Sequence, residues 1–180
     1  AIIQKKWIVE FCQLLVQENI NIIWQLPSGT RCEVIDRETT QWMYRSGCRA
    51  LNYAPESGSV SELKRVKKKV NLKKLMNSAQ VAVEEGIEVK CNFIFGMPGQ
   101  TWKEVFETFV FITRLAWRGV QSIAFFSFAT YPGSEIFNNL LKKNKVQLRD
   151  SYFDDLIERN NPEKTVSFNE NINAFFLSKI

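Results

Sequence analysis

Tyr53-Ala54-Pro55-Glu56-Ser57-Gly58-Ser59 ends an apolar run in a turn that carries a carboxylate and serine hydroxyls, and the pattern returns twice further along the chain. Phe93-Ile94-Phe95-Gly96-Met97-Pro98-Gly99-Gln100-Thr101 and Tyr131-Pro132-Gly133-Ser134-Glu135 close strand-like runs in the same way, with glycine and proline supplying the turn. Parallel α/β folds build their sites at the carboxyl ends of their strands, so the three turns are expected along one rim.

Helix and strand patterns alternate outward from these turns. Trp7, Ile8, Phe11, Leu14 and Leu15 recur at helical spacing over 5–19. Asn21 to Leu26 reads as a buried strand closed by Pro27-Ser28-Gly29. Asp36 is placed to cap a helix that stops at Ser46-Gly47, and a second strand follows over 48–54. Ser59 or Ser61 is expected to cap a short helix through Lys69, and Asn71 a longer one to Glu85, ended by Gly86. The third strand is 88–95. Thr101 and Glu104 form a capping box for a helix through Arg118, closed by Gly119. A fourth strand over 122–130 and a helix over 135–144 complete the alternation, which favours a parallel sheet. Phe125, Phe126 and Phe128 read as core of that strand. After Asp150 the chain turns polar, with Asp154, Asp155, Glu158, Arg159 and the run from Asn160 to Lys164, before Phe175, Phe176 and Leu177 begin an apolar pattern; an extension that packs loosely, or onto sequence not in this chain, is expected.

The chain has 180 residues, 45% of them hydrophobic, enough for one sizeable core. A complete barrel of eight strand-helix units takes about 250 residues, so part of such a barrel is the expectation. The formal charge of +5 is concentrated in Lys64, Arg65, Lys67, Lys68 and Lys69, which have no interleaved aromatics and read as a solvated face in preference to a nucleic-acid patch. Cys12, Cys32, Cys48 and Cys91 are too dispersed for a disulfide framework or a metal knuckle, and there is no histidine to complete a mixed site. No metal ligands and no catalytic side chain are assigned. Neither a signal peptide nor a run of membrane-spanning length is legible, which points to a cytoplasmic protein. The start at Ala1-Ile2-Ile3, without methionine and close to a helix, reads as a start within a larger domain.

On residues alone Glu56 either caps the next helix or, with Ser57, hydrogen-bonds a ligand's ribose or ammonium group, while Gly58 permits close backbone approach. Arg31, after the first strand-end turn, is a candidate clamp for a carboxylate and equally a solvated loop residue. Tyr131 can stack or hydrogen-bond.

The three quoted segments, in their order and spacing, resemble the radical S-adenosylmethionine (SAM) enzymes, particularly the class that usually carries a cobalamin-binding domain. The resemblance covers most of the chain, but the family's CxxxCxxC motif, whose three cysteines hold a 4Fe-4S cluster, does not occur in it. The fold it implies is a partial (βα)-barrel of about four parallel units over 1–145, with a partly helical C-terminal extension over 146–180. By the same resemblance, Glu56 with Ser57 and Gly58 would meet the SAM ribose or amino group. Ile94, Phe95 and Gly96 would meet the adenine, and Tyr131 the adenine or substrate pocket. Gln100 stands where family members usually have glutamate. The implied enzyme cleaves SAM reductively to a 5′-deoxyadenosyl radical, and cobalamin-dependent relatives couple that step to methyl transfer or ring formation. Its implied partners are a cluster-binding segment, a cobalamin-binding segment, a small-molecule substrate and an electron donor such as flavodoxin or ferredoxin; the cluster ligands would lie outside this chain, which alone would be inactive. Two alternatives stand beside this reading: a non-catalytic half-barrel acting as a binding or scaffold module, and a tRNA methylthiotransferase.

Overall fold

Helix α1, Lys5–Gln17, sets Ile8, Cys12 and Leu15 on its buried side, as its three- and four-residue spacing dictates. The computed structural model describes residues 4–158, 161 and 165–180. Strand β1 is Trp24–Leu26, followed by a 3-10 turn at Cys32–Val34 and helix α2 at Arg37–Arg45. Strand β2, Cys48–Glu56, leads into helices α3, Val60–Arg65, and α4, Leu72–Glu84. Strand β3, Glu88–Phe95, helix α5, Trp102–Ala116, strand β4, Ser122–Ser127, and helix α6, Glu135–Lys142, continue the alternation. Helices α7, Asp150–Ile157, and α8, Ala174–Leu177, complete the described elements.

The four strands form one sheet in the order β1-β2-β3-β4, with β1 parallel to β2 and β2 parallel to β3. This is the α/β partial barrel expected of alternating strands and helices. Two predicted side-chain caps form, Asp36 accepting from Thr39 N at 3.0 Å and Asn71 from Lys74 N at 2.9 Å, whereas Ser59 stands at the start of α3 without a side-chain cap bond because its hydroxyl is engaged by Ser61 and Glu107. Thr101 and Glu104 exchange the two hydrogen bonds of a capping box at 2.9 and 3.3 Å.

The chain divides into two compact units, Ala1–Phe93 with Phe106–Ala124, and Ile94–Val105 with Phe125–Ile180. In the first, β2 and β3 bury alternate residues. Leu51 and Tyr53, with Val89, Cys91 and Phe93, lie on the covered face, and Tyr53 Oη meets Ser78 Oγ at 2.6 Å. Ala50, Asn52 and Ala54, with Glu88, Lys90 and Asn92, occupy the opposite face and are half-buried or exposed. The second unit packs Phe137, Leu140, Val146 and Tyr152 together.

Several boundaries differ from expectation. The first strand begins at Trp24 instead of Asn21, because its pairing with β2 begins at Trp24 opposite Cys48 and Ile23 is 82% exposed. The second extends to Glu56, which pairs with Phe93. The short helix ends at Arg65 instead of Lys69, because Lys67 takes a left-handed φ of 58° and closes it. The fourth strand stops at Ser127, and Phe125 is 36% exposed where core was expected. The tail is not loosely packed: Tyr152, Ile172 and Leu177 are buried, and the Tyr152 hydroxyl donates to Thr130 O. Single anchoring side chains hold it, and no periodic stripe announces them. Of the polar run 159–164, residues 159, 160 and 162–164 lie outside the described residues, as do Ala1, Ile2 and Ile3.

Candidate functional site

Glu56 is the last residue of β2 and has a left-handed φ of 69°. Its carboxylate accepts from Lys68 Nζ at 2.8 Å, with Lys68 38% and Glu56 22% exposed at the side chain. Lys68 reaches it because α3 terminates in a turn in which Lys68 N donates to Leu63 O at 2.9 Å and Lys67 N to Lys64 O at 3.2 Å. Two non-glycine residues therefore stand in the left-handed region around one ion pair. Each such residue costs about 1–2 kcal/mol, whereas a part-exposed ion pair returns about 0–1 kcal/mol. The arrangement is a poor device for stability, which marks it as a functional candidate. Sequence reading placed the basic run on a solvated face and missed Lys68; its signal is the interval of one short helix and one turn after Glu56.

Ser57 and Gly58 point elsewhere. The Ser57 hydroxyl is fully buried, donates to Glu62 Oε2 at 2.7 Å and lies 3.1 Å from Thr108 Oγ1. Thr108 Oγ1 also accepts from Gly58 N at 3.1 Å. A Cβ on Gly58 would stand 2.5 Å from Phe111 Cβ and 2.8 Å from Thr108 Cα. Both residues thus tie the strand-end loop to α5. Arg31 is exposed at the start of the 3-10 turn.

The open face of β2 and β3 carries two buried oxygens without a hydrogen-bond partner, Asn52 Oδ1 and Asn92 Oδ1. Asn52 Nδ2 donates to Pro27 O at 2.8 Å, which fixes its oxygen on the other side. An unsatisfied buried acceptor costs about 1–3 kcal/mol, so both oxygens mark where a ligand's donors would fit. A cavity of about 380 Å³ on this face is lined by Gln25, Asn52, Glu88, Lys90 and Ser122, among others. The sequence signal for both asparagines was an amide at an alternate position of an otherwise apolar strand.

In the second unit Ile94 is half-buried and Phe95 is buried with its ring edge-on to Phe125 at 5.7 Å. Gly96 follows with a φ of 83°, and its N–H donates to Gln100 Oε1 at 2.8 Å. Gln100 thus braces the turn as a neutral acceptor. Tyr131 is 53% exposed at the strand exit, where its carbonyl accepts from Ser134 N at 3.1 Å.

All four cysteines are buried free thiols. Burial pushes Cys48 and Cys91 up to about 12, and Cys32 to about 11, so they remain protonated at neutral pH. A 4Fe-4S cluster needs thiolates converging on it, and no group of three or more metal-ligating side chains exists among the described residues. The described residues therefore do not fit a cluster. No described helix is long and apolar enough to cross a membrane.

Comparison with known proteins bears on the fold and the family. The chain is 27% identical over 143 residues to cytidylyl-2-hydroxyethylphosphonate methyltransferase of Streptomyces wedmorensis, covering 76% of this chain and 26% of that protein. It is 21% identical over 145 residues to the anaerobic magnesium-protoporphyrin IX monomethyl ester cyclase of Rubrivivax gelatinosus, covering 80% of this chain and 25% of the relative. The chain thus spans about a quarter of the length of these curated relatives. Its fold matches that of TsrM from Kitasatospora setae, a radical SAM methyltransferase solved with cobalamin and a [4Fe-4S] cluster bound, with a TM-score of 0.62 and 16% identity over 77% of this chain and 27% of that one. The family model of the radical SAM superfamily matches residues 5–112, more than half of the sequence, and the chain belongs to that superfamily.

Proposed function

We propose that this chain is the SAM-binding part of a radical SAM enzyme of the cobalamin-associated class, with Glu56 and Lys68 as its principal SAM contacts. The observation that carries the reading is the strained pair itself, Glu56 at φ 69° held 2.8 Å from Lys68 at a parallel strand's carboxyl end. The carboxylate suits ribose hydroxyls or the methionyl ammonium. The Lys68 ammonium has three donors, of which one is engaged by Glu56, so it can also meet the methionyl carboxylate. Asn92 Oδ1 offers a further acceptor to a hydroxyl of the same ligand. Arg31 is a second cation for a carboxylate, and Ser57 and Gly58 support Glu56 from behind. By the family resemblance, Ile94, Phe95 and Gly96 of the second unit are the candidate adenine contacts and Tyr131 a candidate for the adenine or substrate pocket.

SAM bound beside a reduced 4Fe-4S cluster would supply a 5′-deoxyadenosyl radical, chemistry that belongs to the cofactors. The cluster ligands and any cobalamin site come from polypeptide other than these residues, in keeping with the greater length of the relatives and the cofactors named for TsrM. The substrate is a small molecule, and methyl transfer is the favoured outcome because the phosphonate relative is a methyltransferase.

The test is calorimetric titration of SAM into the 180-residue chain, its Glu56→Gln variant and its Lys68→Ala variant. Weak binding by the wild type, reduced roughly tenfold by either substitution through loss of one charge-assisted hydrogen bond, is the expected result. Equal affinity in all three would refute the assignment, and no binding by the wild type would overturn an autonomous half-site.

A further inference from the structure

We infer that Asn169 is a positioning residue for the turn Gly96–Gln100, through which the C-terminal segment sets the conformation of the candidate adenine contacts. The inference rests on the SAM reading above for its functional half and on hydrogen bonding alone for its structural half. The turn closes with Gln100 N donating to Met97 O at 3.0 Å and Gly96 N donating to the buried Gln100 Oε1 at 2.8 Å. Two backbone carbonyls of the turn, those of Met97 and Gln100, are also reached from the tail, Met97 O accepting a second bond beside the one that closes the turn. Asn169 Nδ2 donates to both, at 2.5 and 3.0 Å. Its Oδ1 accepts from Asn171 N at 2.6 Å and Ile172 N at 2.9 Å, so one carboxamide fastens a turn to a segment about 70 residues later in sequence.

Two apolar contacts reinforce the amide. A Cβ on Gly96 would lie 2.7 Å from Leu177 Cδ1, so the side chain of Leu177 is seated directly over the glycine. The Trp102 ring, just past the turn, packs edge-on against Phe176 at 4.8 Å. Ile172, beside the amide anchor, is fully buried. Gly96 has a φ of 83° and Gly99 one of 74°, conformations that a short peptide of this sequence holds weakly, so an external brace has a conformation to select.

A carboxamide is the side chain that presents two donors and an acceptor at this reach. Asn169→Asp keeps the oxygen that orders the tail, removes both donors and sets an anion against two carbonyls. Asn171→Ala removes a single longer bond to Gln100 O, at 3.3 Å, and serves as the control. Hydrogen–deuterium exchange over 96–102 and calorimetric SAM titration are measured on the 180-residue chain in all three forms, with far-UV circular dichroism confirming folding. Asn169→Ala replaces Asn169→Asp if that variant fails to fold.

The expected result is exchange of the Gly96 and Gln100 amides faster by roughly tenfold or more in Asn169→Asp and unchanged in Asn171→Ala, with SAM affinity falling in parallel. Unchanged exchange overturns the clamp. Faster exchange with undiminished SAM affinity overturns the positioning role. If the wild type binds no SAM, the autonomous half-site fails and the positioning role with it, while exchange still decides whether Asn169 holds the turn.

Discussion

Replacing Gly58 with alanine is the sharpest test of how labour is divided within Glu56-Ser57-Gly58. The added Cβ would stand 2.5 Å from Phe111 Cβ and 2.8 Å from Thr108 Cα. Carbon atoms in good contact sit about 3.5 Å apart or more, so the Cβ must be relieved by roughly 1 Å. Thr108 Cα is backbone in the middle of α5, and the same turn of helix holds Thr108 Oγ1, which accepts from Gly58 N and lies 3.1 Å from Ser57 Oγ. Relief by moving α5 therefore loosens the buried bond from Ser57 to Glu62 as well. Overpacking of this kind costs about 1–3 kcal/mol. In a domain of this size each kcal/mol moves the melting midpoint by about 2–4 °C, so a loss of roughly 2–12 °C is expected. The assay is a thermal melt followed by circular dichroism, paired with SAM titration well below the midpoint. If Gly58 serves packing, as its surroundings argue, the melt falls and affinity survives. A variant with an unchanged midpoint and abolished SAM binding would refute the reasoning and return Gly58 to the ligand.

Glu56→Gly should behave in the opposite sense. Relief of the left-handed φ returns about 1–2 kcal/mol, against about 0.5–1 kcal/mol for glycine's added entropy and about 0–1 kcal/mol for the ion pair, so the melting midpoint stays level or rises slightly while SAM affinity is lost. Asp36→Ala removes the cap on α2 and should cost about 1 kcal/mol in urea unfolding at neutral pH. Burial works to raise the Asp36 carboxyl, but Lys5 and the Thr39 donors outweigh it and hold it below its ordinary value; its contribution is therefore present above the usual carboxylate range and fades as acid carries the pH through the lowered value. Cys48 and Cys91 run the other way: burial lifts each from 9.0 to about 12. The unfolded chain gives up these protons first, so stability is intact below pH 9 and declines toward pH 12, by up to about 1.4 kcal/mol per pH unit for each thiol. Urea midpoints at pH 8 and pH 10.5 measure this, and a pH-independent midpoint would refute it. Over the same range iodoacetamide should label these thiols on the timescale of unfolding.

What the sequence made legible is what local chemistry determines. Asp36, Asn71 and the Thr101–Glu104 box declare helix starts because each satisfies free amides within one turn, and β3 was bounded correctly because apolar alternation and Gly96 bracket it. What stayed illegible depends on contacts between distant residues. Glu56 adopts a left-handed backbone that no glycine foretells, and its partner, Lys68, lies in a basic run whose surplus charge hid it. Ser57 reads as a ligand donor until Thr108, about 50 residues later, is seen beside it.

The tail is the extreme case, and it explains why glutamine suffices at position 100. A glutamate there would also accept from Gly96 N, but it would place a charge in a fully buried site, which demands a cationic partner or several donors. The amide satisfies Gly96 without that demand. Fixing the turn's carbonyls then falls chiefly to Asn169, a neutral donor from a segment whose own sequence looks like a polar extension. A neutral turn and an amide-bearing tail are therefore matched to each other. On this argument Gln100→Glu alone should destabilise the chain by raising the charge buried at the turn, whereas a neighbouring cation introduced with it should restore the melting midpoint; a Gln100→Glu variant as stable as the wild type at pH 7 would show that the turn carries a buried carboxylate unaided, and would break the link between the residue at 100 and the tail that covers it.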